Sequence, residues 1–328
     1  MQNYEYFIDP AFREAMEELC AGQDGCYIDP ADVAELSIQN AGSLADLVYF
    51  ENLQSLSVTL SNLDNLEEIK ALKHLTELIL FDNKINSLSA VWEMEQLTGL
   101  YMDQCIDVAS VSRLKNLTEL EILFGDFSDS APLKKLAKIK KLMLQACNLN
   151  DLGFASGMPG LRSVDIAKNR VKDIKPLEGL SNLQTVEIWE NEISDLSPLK
   201  DLEGIRVLDI SNNPICWDYC ELNDLKCLPF LKKIGLYNLP VEPDWIRKAR
   251  NLKEIHLGGR EWEDISFLVN HPNIELISLV ESSVRDISCL IKLPGLKSVW
   301  LIGNEKIEDY SPIYQLRAKG IDVHMDDC

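Results

Sequence analysis

The chain has 328 residues, of which 53 are acidic and 32 are basic, so its net charge at pH 7 is −21. A field of that sign repels nucleic acid and anionic membrane surfaces, which predicts neither as a partner. No apolar stretch approaches the roughly 18 residues that a membrane-spanning helix needs, so no membrane insertion is expected.

A helix is the first predicted element, in the segment FIDPAFREAMEELCAG at residues 7–22. Asp9 suits its N-cap, Pro10 its first position and Gly22 the position after its end. Its apolar face is expected to be formed by Phe12, Ala15, Met16 and Leu19. This helix predicts an N-terminal cap over residues 1–32, because the first unit of a stacked array has no neighbour to cover it.

A repeat begins where this cap ends. The blocks from Leu75, Leu161 and Leu183 are each 22 residues long, and the last of them reads LQTVEIWENEISDLSPLKDLEG. They share the pattern L-x-x-L-x-L-x-x-N-x-I-x-x-L, with other aliphatic residues at some apolar positions. Thirteen such blocks begin at Val33, Leu53, Leu75, Leu97, Leu117, Ile139, Leu161, Leu183, Ile205, Leu231, Leu252, Ile274 and Leu296. Self-similarity of this period indicates a solenoid.

The two halves of the repeat predict different elements. The L-x-x-L-x-L half is a short strand whose apolar side chains can be buried only against neighbouring copies. The other half, as in ISDLSPLKDL, spaces apolar residues three apart, which is typical of a helical turn or a 3₁₀ segment. The Ser-Pro pairs in residues 197–199 and 311–313 suit the start of such a turn. The ninth-position Asn, for example Asn191, is expected to bond backbone groups where the strand turns away.

These elements predict an α/β fold. It is a right-handed solenoid with a parallel concave sheet of about thirteen strands, and with short helices or 3₁₀ segments on its convex side. The repeats are expected to fill residues 33–317, and a C-terminal cap strand residues 318–328. The block from Ile205 is 26 residues long, and a longer convex helix with Cys216 and Cys220 one turn apart is expected there.

The repeat resembles the leucine-rich repeat, in the 22-residue variety shared by bacterial internalins and a eukaryotic phosphatase-regulating scaffold. The phrase FIDPAFR, followed by a helix and an Asp-Gly turn, is similar to the N-terminal cap of internalin-like proteins of Gram-positive bacteria. Many such relatives are exported, yet MQNYEYFIDP shows no basic region followed by an apolar run. With an odd number of cysteines, nine, a reducing cytoplasm is expected; a secreted or cell-surface location is the alternative if a signal peptide was removed.

The sequence predicts no catalytic residues, no cofactor and no metal. It has no glycine-rich phosphate loop, no G-x-S-x-G and no H-E-x-x-H. A calcium loop centred on Gly25 would have Asp24 as its one suitable ligand. Cys216, Cys220 and Cys227 could approach one metal ion, but no fourth Cys or His is close in sequence, so apolar thiols are favoured.

Four other residues have structural interpretations. Cys105 and Cys147 replace the ninth-position Asn and are expected to be buried thiols. Cys289 is expected to pack on the convex side. His271 lies at a block boundary and is expected to be an ordinary surface residue.

The concave face is the candidate binding surface. Side chains at positions 3, 5, 7 and 8 of each block project from it, and these positions hold twelve acids and three bases, Lys141, Lys168 and Lys233. Large apolar residues stand among the acids, in a density that exceeds scattered exposure. Trp189 is expected to be substantially exposed beside Glu187. The candidate protein-binding residues are Ile79, Phe81, Tyr101, Asp103, Glu121, Leu123, Phe124, Met143, Asp165, Glu187, Trp189, Glu190, Asp209, Tyr237 and Trp300.

The sequence therefore favours a non-catalytic scaffold, expected to be a monomer, that binds a basic or amphipathic protein. Ribonuclease inhibitor, a leucine-rich-repeat protein with an acidic concave face, is similar in principle. The alternatives are an exported internalin-like adhesin that binds a host surface protein, and the recognition module of a bacterial effector. Aromatic residues that merely stiffen the sheet are the competing interpretation of the face.

Overall fold

The computed structural model describes residues 4–21, 27–85, 87–104, 108–239, 241, 243–259 and 262–326. Its backbone contacts divide the chain into two compact units. The first unit comprises Met1–Asn148 and Gly153–Gly160, and the second comprises Leu149–Leu152 and Leu161–Cys328. The predicted boundaries after residues 32 and 317 stay predictions.

The first unit holds two helices, six strands of the main sheet and a small two-stranded sheet made of β3 and β5. In chain order they are α1 (Pro10–Leu19), β1 (Glu35–Gln39), β2 (Ser55–Thr59), β3 (Asn62–Leu63), β4 (Glu77–Leu80), β5 (Lys84–Ile85), β6 (Gly99–Asp103), α2 (Val108–Val111), β7 (Glu119–Leu123) and β8 (Lys141–Gln145). Its 3₁₀ helices are Pro30–Asp32, Ala45–Tyr49, Glu67–Ala71, Val91–Glu93, Ala131–Lys135 and Gly153–Gly157.

The second unit holds eight strands of the main sheet and one helix. They are β9 (Ser163–Asp165), β10 (Thr185–Glu187), β11 (Val207–Asp209), β12 (Lys233–Gly235), β13 (Glu254–His256), β14 (Leu276–Ser278), β15 (Ser298–Trp300), α3 (Ser311–Ala318) and β16 (Asp322–His324). Its 3₁₀ helices are Lys175–Leu177, Ser197–Leu199, Leu222–Asp224, Leu228–Phe230, Pro243–Arg247, Ser266–Leu268 and Ser288–Lys292.

Parallel pairing with an unbroken register orders the strands within each unit. Leu36 of β1 faces Leu56 of β2, and Val186 of β10 faces Leu208 of β11. These inward side chains are almost completely buried, and each such aliphatic side chain stabilises the fold by roughly 1.5–3 kcal/mol. The described residues thus contain six and eight main-sheet strands, and the predicted leucine-rich-repeat solenoid with about thirteen parallel strands and 3₁₀ segments is confirmed.

The ninth-position asparagines bond the backbone as predicted. The side-chain amide of Asn191 donates to the carbonyls of Ile188 (3.1 Å) and of Ile166 in the preceding repeat (2.9 Å). Its Oδ1 accepts the backbone N–H of Val171 at 3.0 Å. Asn213 repeats the arrangement one block later. Each asparagine therefore ties two successive turns together and satisfies buried backbone groups.

The eighth position of every repeat has a left-handed backbone, which sequence reasoning did not foresee. Its φ lies between 51° and 87° in all thirteen blocks, including the glycines at 259 and 303. The strand must reverse direction within two residues before the ninth-position bonds form. Glycine and asparagine tolerate this conformation, whereas a bulky side chain is strained by about 1–2 kcal/mol.

The predicted N-terminal helix forms, with one exception in its apolar face. Asp9 caps α1 by accepting the backbone N–H of Ala11, and its other oxygen accepts the N–H groups of Gly42 and Ser43. Buried Asp46 accepts from the backbone of Asp9 in return, at 2.7 Å. Leu19 is 45% exposed and does not belong to the buried apolar face. Gly22 and the Asp-Gly turn lie outside the described residues.

The convex turns reveal a use for acidic residues that the sequence analysis missed. Asp195 accepts the backbone N–H of Ser197, which starts a 3₁₀ helix at the predicted Ser-Pro. Asp309 does the same for Ser311 at the start of α3. The backbone and hydroxyl hydrogen bonds of that serine lower the pKa of Asp309. Part of the acidic excess therefore serves the turns rather than a partner.

The prediction of a longer convex helix in the 26-residue block is wrong. A turn at residues 217–219 and the 3₁₀ helices Leu222–Asp224 and Leu228–Phe230 take up the extra residues. Glu221 and Asp224 form a reciprocal capping pair around the first of these, which favours a short turn over a continuous helix. No helix within the described residues has the length and apolar character to cross a bilayer.

Candidate functional site: the strand face

The strand face is defined as the side chains at positions 3, 5, 7 and 8 of the repeats. They alternate along each strand with the buried aliphatic side chains, so they point away from the core. Consecutive strands bring equal positions side by side at about 4.8 Å. The face is described for each unit separately.

In the first unit a cluster of large apolar side chains lies on the face among polar ones. Ile79, Tyr101, Glu121 and Met143 occupy consecutive register positions, and Asp103 and Leu123 form the next column. Phe81 follows β4. All seven of these predicted residues are half-buried, because neighbouring side chains on the face cover part of each one.

Tyr101 is held in place. Its hydroxyl donates to the Glu119 carboxylate at 2.9 Å, and its ring lies over Gly99. Burial, with the hydrogen bond to Glu119, raises the pKa of Tyr101 well above its usual range. Lys141 approaches the same carboxylate at 3.8 Å. Tyr101 therefore presents a fixed ring on the face and no ionisable group at neutral pH.

Phe124 and Leu60 are the most exposed large apolar residues on this face. Phe124 is 67% exposed and Leu60 is 55% exposed. Both stand at the left-handed eighth position, with φ of 57° and 53°. Leu60 was not among the predicted residues, although it stands at the same position of its repeat as Phe124.

In the second unit a row of carboxylates crosses the face. Asp165, Glu187 and Asp209 are direct register partners on β9, β10 and β11. Asp165 is the exception to predicted exposure: it is 4% exposed, and its Oδ1 accepts the backbone N–H of Ala167 at 3.0 Å. Its short side chain can reach its own backbone where the strand ends, so it is a buried member of the row.

Glu187 at the centre of the row is electrostatically disfavoured as an anion. Burial raises the pKa of its carboxyl group, and the neighbouring charges of Asp165 and Asp209 raise it further. The Lys233 ammonium opposes this shift. A cation brought to this row would relieve the repulsion.

A chain of charged groups lies beside the row. Lys233 contacts Glu254 at 3.1 Å, and Glu254 contacts His256 at 2.7 Å. Burial opposes ionisation of Glu254, but its bonds to His256 and Lys233 outweigh burial and lower its pKa. The positive and negative charges within this group offset each other. The row of Asp165, Glu187 and Asp209 is therefore the distinct negative feature.

Trp189 is half-buried rather than substantially exposed. The Lys168 ammonium lies over its ring, 5.0 Å from the centroid, and covers one side of the indole. Glu190 at the adjacent left-handed position is exposed. The sequence analysis had counted Lys168 among the three bases, without pairing it with the tryptophan.

Aromatic residues lie on glycines further along the second unit. The Tyr237 ring covers Gly258, and its hydroxyl donates to the carboxylate of Glu281. The carboxylate of Asp209 covers Gly235 in the same way. Trp300 is 40% exposed and packs on His324, with ring centroids 4.6 Å apart. The first two contacts depend on Gly258 and Gly235, which the sequence analysis did not consider.

Possible metal ligands and cysteine thiols are the other groups to consider in the part of the chain that the structure describes. No group of three or more His, Cys, Asp or Glu side chains there could hold a metal ion. Burial raises the pKa of Cys220 and Cys227 to about 11 and of Cys289 to about 12, so these thiols are protonated at neutral pH. Cys147 is buried at the ninth position as predicted and its Sγ donates to the Ile122 carbonyl, while Cys105 lies outside the described residues.

His271 corrects a further expectation. It is 7% exposed, and its Nε2 lies 3.1 Å from the Ala249 carbonyl. Burial lowers its pKa. It is therefore a packed neutral side chain between repeats and not a surface residue.

Solved structures of leucine-rich-repeat proteins share this fold. An internalin, InlF from Listeria monocytogenes, matches with a TM-score of 0.70 and 20% identity over 98% of this chain and 96% of that one. A leucine-rich-repeat protein of Leptospira interrogans matches with a TM-score of 0.60 and 17% identity, over 90% and 96%. The functional domain of InlJ from Listeria monocytogenes matches with a TM-score of 0.59 and 17% identity, over 91% and 70%.

This chain thus has the leucine-rich-repeat solenoid fold, and its predicted resemblance to internalins is confirmed at the level of the fold. No protein-family model matches the sequence, and no curated protein matches it. The partner therefore has to be argued from the strand face itself.

Proposed function

We propose that this protein is a non-catalytic scaffold that binds a basic or amphipathic protein through its strand face. The carboxylate row of the second unit supports the proposal most directly. Asp165, Glu187 and Asp209 stand in register, and burial, together with repulsion from the two aspartates, raises the pKa of Glu187. A surface that disfavours its own charge gains from a cationic partner.

The cluster of apolar side chains on the first unit's face supports the amphipathic part of the proposal. Phe124 is largely exposed, and the half-buried Leu123 and Met143 lie on neighbouring strands. Exposed aromatic residues with fixed surroundings are over-represented among binding hot spots. Their backbone is held by the repeat, so little conformational entropy is lost on binding.

The experiment uses the intact chain as bait and asks whether a captured protein needs the strand face for binding. The variant is Glu187→Lys with Asp209→Lys, and the control is Glu178→Lys with Glu203→Lys at two exposed positions outside the strand face. Each glutamate or aspartate replaced by lysine adds two charges, so both variants change the net charge from −21 to −17. A protein retained by the wild type and the control but lost by the face variant supports the proposal. Equal retention by all three chains contradicts it.

The internalin structures favour one second candidate, an exported adhesin for a host surface protein. We propose a cytoplasmic location instead, supported by the free thiols of Cys20, Cys216, Cys220, Cys227 and Cys289. Fractionation of the native organism with an antibody to this chain tests the location. Recovery of the chain from the medium or cell surface would favour the adhesin.

A further inference from the structure

Tyr237 forms a rigid, flat platform in the second unit. A Cβ atom at Gly258 would lie 2.2 Å from the Cδ2 atom of the Tyr237 ring, so the ring rests directly on the glycine backbone. A glycine inside a strand pattern marks such a close approach. One face of the ring is thus against the sheet, and the other points away from it.

Hydrogen bonds fix both the backbone and the hydroxyl group of Tyr237. The backbone N–H of Tyr237 donates to the Ser211 hydroxyl at 2.9 Å, and the phenol donates to Glu281, two repeats further along. Burial and the bond to Glu281 raise the pKa of Tyr237 to about 12, so the phenol is a neutral donor at physiological pH. A ring held in this way needs no rearrangement to receive a ligand.

A depression in the surface borders the platform. Gly259 and Gly303, with φ of 87° and 74°, place no side chain at the eighth position of their repeats. The carboxylates of Glu281 and Glu305 line the depression and are exposed. Lys306 also lines it, but its ammonium donates to the Ser283 hydroxyl at 3.2 Å. Two carboxylates against one ammonium leave these walls negative.

We propose that Tyr237, Glu281 and Glu305 form a subsite for an arginine side chain of the protein partner. The inference rests on the proposed function and names the group that this part of the face would recognise. A planar guanidinium can stack on the outward face of the ring while its N–H groups reach the carboxylates at the edge. A lysine ammonium lacks the flat surface that such stacking uses.

The described part of the second unit contains two intramolecular examples of this kind of contact. Lys168 lies 5.0 Å from the centroid of Trp189, and Arg206 lies 5.1 Å from that of Phe230. Among the described residues, no cation is placed over Tyr237 in this way.

The experiment is a titration of the full chain, labelled for NMR, with acetyl-Gly-Arg-Gly-amide and with the matching lysine peptide. The arginine peptide is expected to shift the amide signals of Gly258, Gly259 and Gly303, and to bind about threefold tighter than the lysine peptide. Tyr237→Ala is expected to weaken binding of the arginine peptide by about fivefold. Tyr237→Phe keeps the ring and should lose less. Tyr219→Ala removes a tyrosine that is 66% exposed elsewhere in the second unit and should change nothing.

Three results would overturn the subsite. They are equal affinity for the two peptides, unchanged binding by Tyr237→Ala, and shifts at the three glycines caused by a neutral disaccharide but not by the arginine peptide. The last result would indicate a carbohydrate site. These titrations need no partner, so they judge the subsite independently of the scaffold. If a captured partner binds Tyr237→Ala as well as the wild type but is lost by the Glu187 and Asp209 reversal, the subsite fails and the proposed function stands.

Discussion

The strand faces of the two units show different chemistry on the same repeated backbone. In the first unit a cluster of large apolar side chains, including Tyr101 and Leu123, lies among polar residues, and Phe124 is largely exposed. In the second unit the column of Glu187 carries three carboxylates and then Gly235. The inward positions remain aliphatic in both, because they must fill the same space between strands. The repeat thus fixes the positions of the side chains, whereas the residue types on the strand face differ from repeat to repeat.

The turns after the strands differ as well. The second unit uses asparagine at the ninth position of four repeats, Asn169, Asn191, Asn213 and Asn304, each almost completely buried. The first unit has Asn83, but Ser61 and Cys147 take the place in other repeats. An amide supplies two donors and an acceptor, whereas a thiol supplies one weak donor. The turns of the second unit should therefore depend more strongly on this single side chain.

Loss of the ladder amide should have the largest effect on stability. Asn191→Ala leaves the Ile166 carbonyl and the Val171 N–H without their side-chain partner, and should lower the free energy of unfolding by about 3 kcal/mol. Cys147→Ala at the same position of the first unit should lower it by about 1 kcal/mol. Urea denaturation followed by tryptophan fluorescence measures both. Equal losses would remove the distinction drawn between the two sets of turns.

Phe124 and Trp189 should differ in how much each side chain contributes to the stability of the fold. Phe124→Ala removes an exposed ring, so it should weaken a captured partner by about 2 kcal/mol and leave the melting temperature almost unchanged. Trp189→Ala removes a half-buried ring together with its Lys168 contact, so it should reduce both affinity and melting temperature. Calorimetric titration and thermal unfolding of the same variants decide. If Phe124→Ala affects the melting temperature alone, the ring stiffens the sheet and does not bind.

Sequence periodicity was sufficient for the repeat, the inward residues and the asparagine bonds, because each follows from a spacing of two, three or 22 residues. It failed where the exposure of a side chain depends on a local left-handed backbone or on a residue of another repeat. The exposure of Leu60 follows from a left-handed φ, and the coverage of Trp189 follows from Lys168 one repeat earlier. The flat Tyr237 ring depends on Gly258, which stands in the next repeat. Such pairs leave no local pattern in the sequence.

The left-handed eighth position offers a smaller effect with opposite signs in the two units. Phe124→Asn in the first unit should raise the free energy of unfolding by about 1 kcal/mol, because asparagine tolerates a positive φ better than phenylalanine. Gly303→Ala in the second unit should lower it by about 1 kcal/mol, because alanine does not. Urea denaturation midpoints give both values. If Phe124→Asn is more stable and binds a captured partner more weakly, the strained phenylalanine is retained for binding.

The carboxylate row gives the smallest effect, and it depends on pH. The folded-state pKa of Glu187 is raised above its ordinary value of 4.5, first by burial and then by Asp165. Above the folded pKa, the ionised form is present in both states and is disfavoured in the fold, so Glu187 destabilises the protein at pH 7. As the pH falls through the folded pKa, the native state binds the proton first and this loss is recovered.

Glu187→Gln should therefore raise the melting temperature by about 1–2 °C at pH 7 and leave it unchanged below pH 4.5, where the wild-type carboxyl group is protonated in the fold. Glu203→Gln at an exposed position reports what the loss of one negative charge does to a chain of net charge −21. Thermal unfolding from pH 4 to pH 8 compares the two. A gain from Glu187→Gln that is independent of pH would mean that the row is not electrostatically strained, and the argument for a cationic partner would lose its main support.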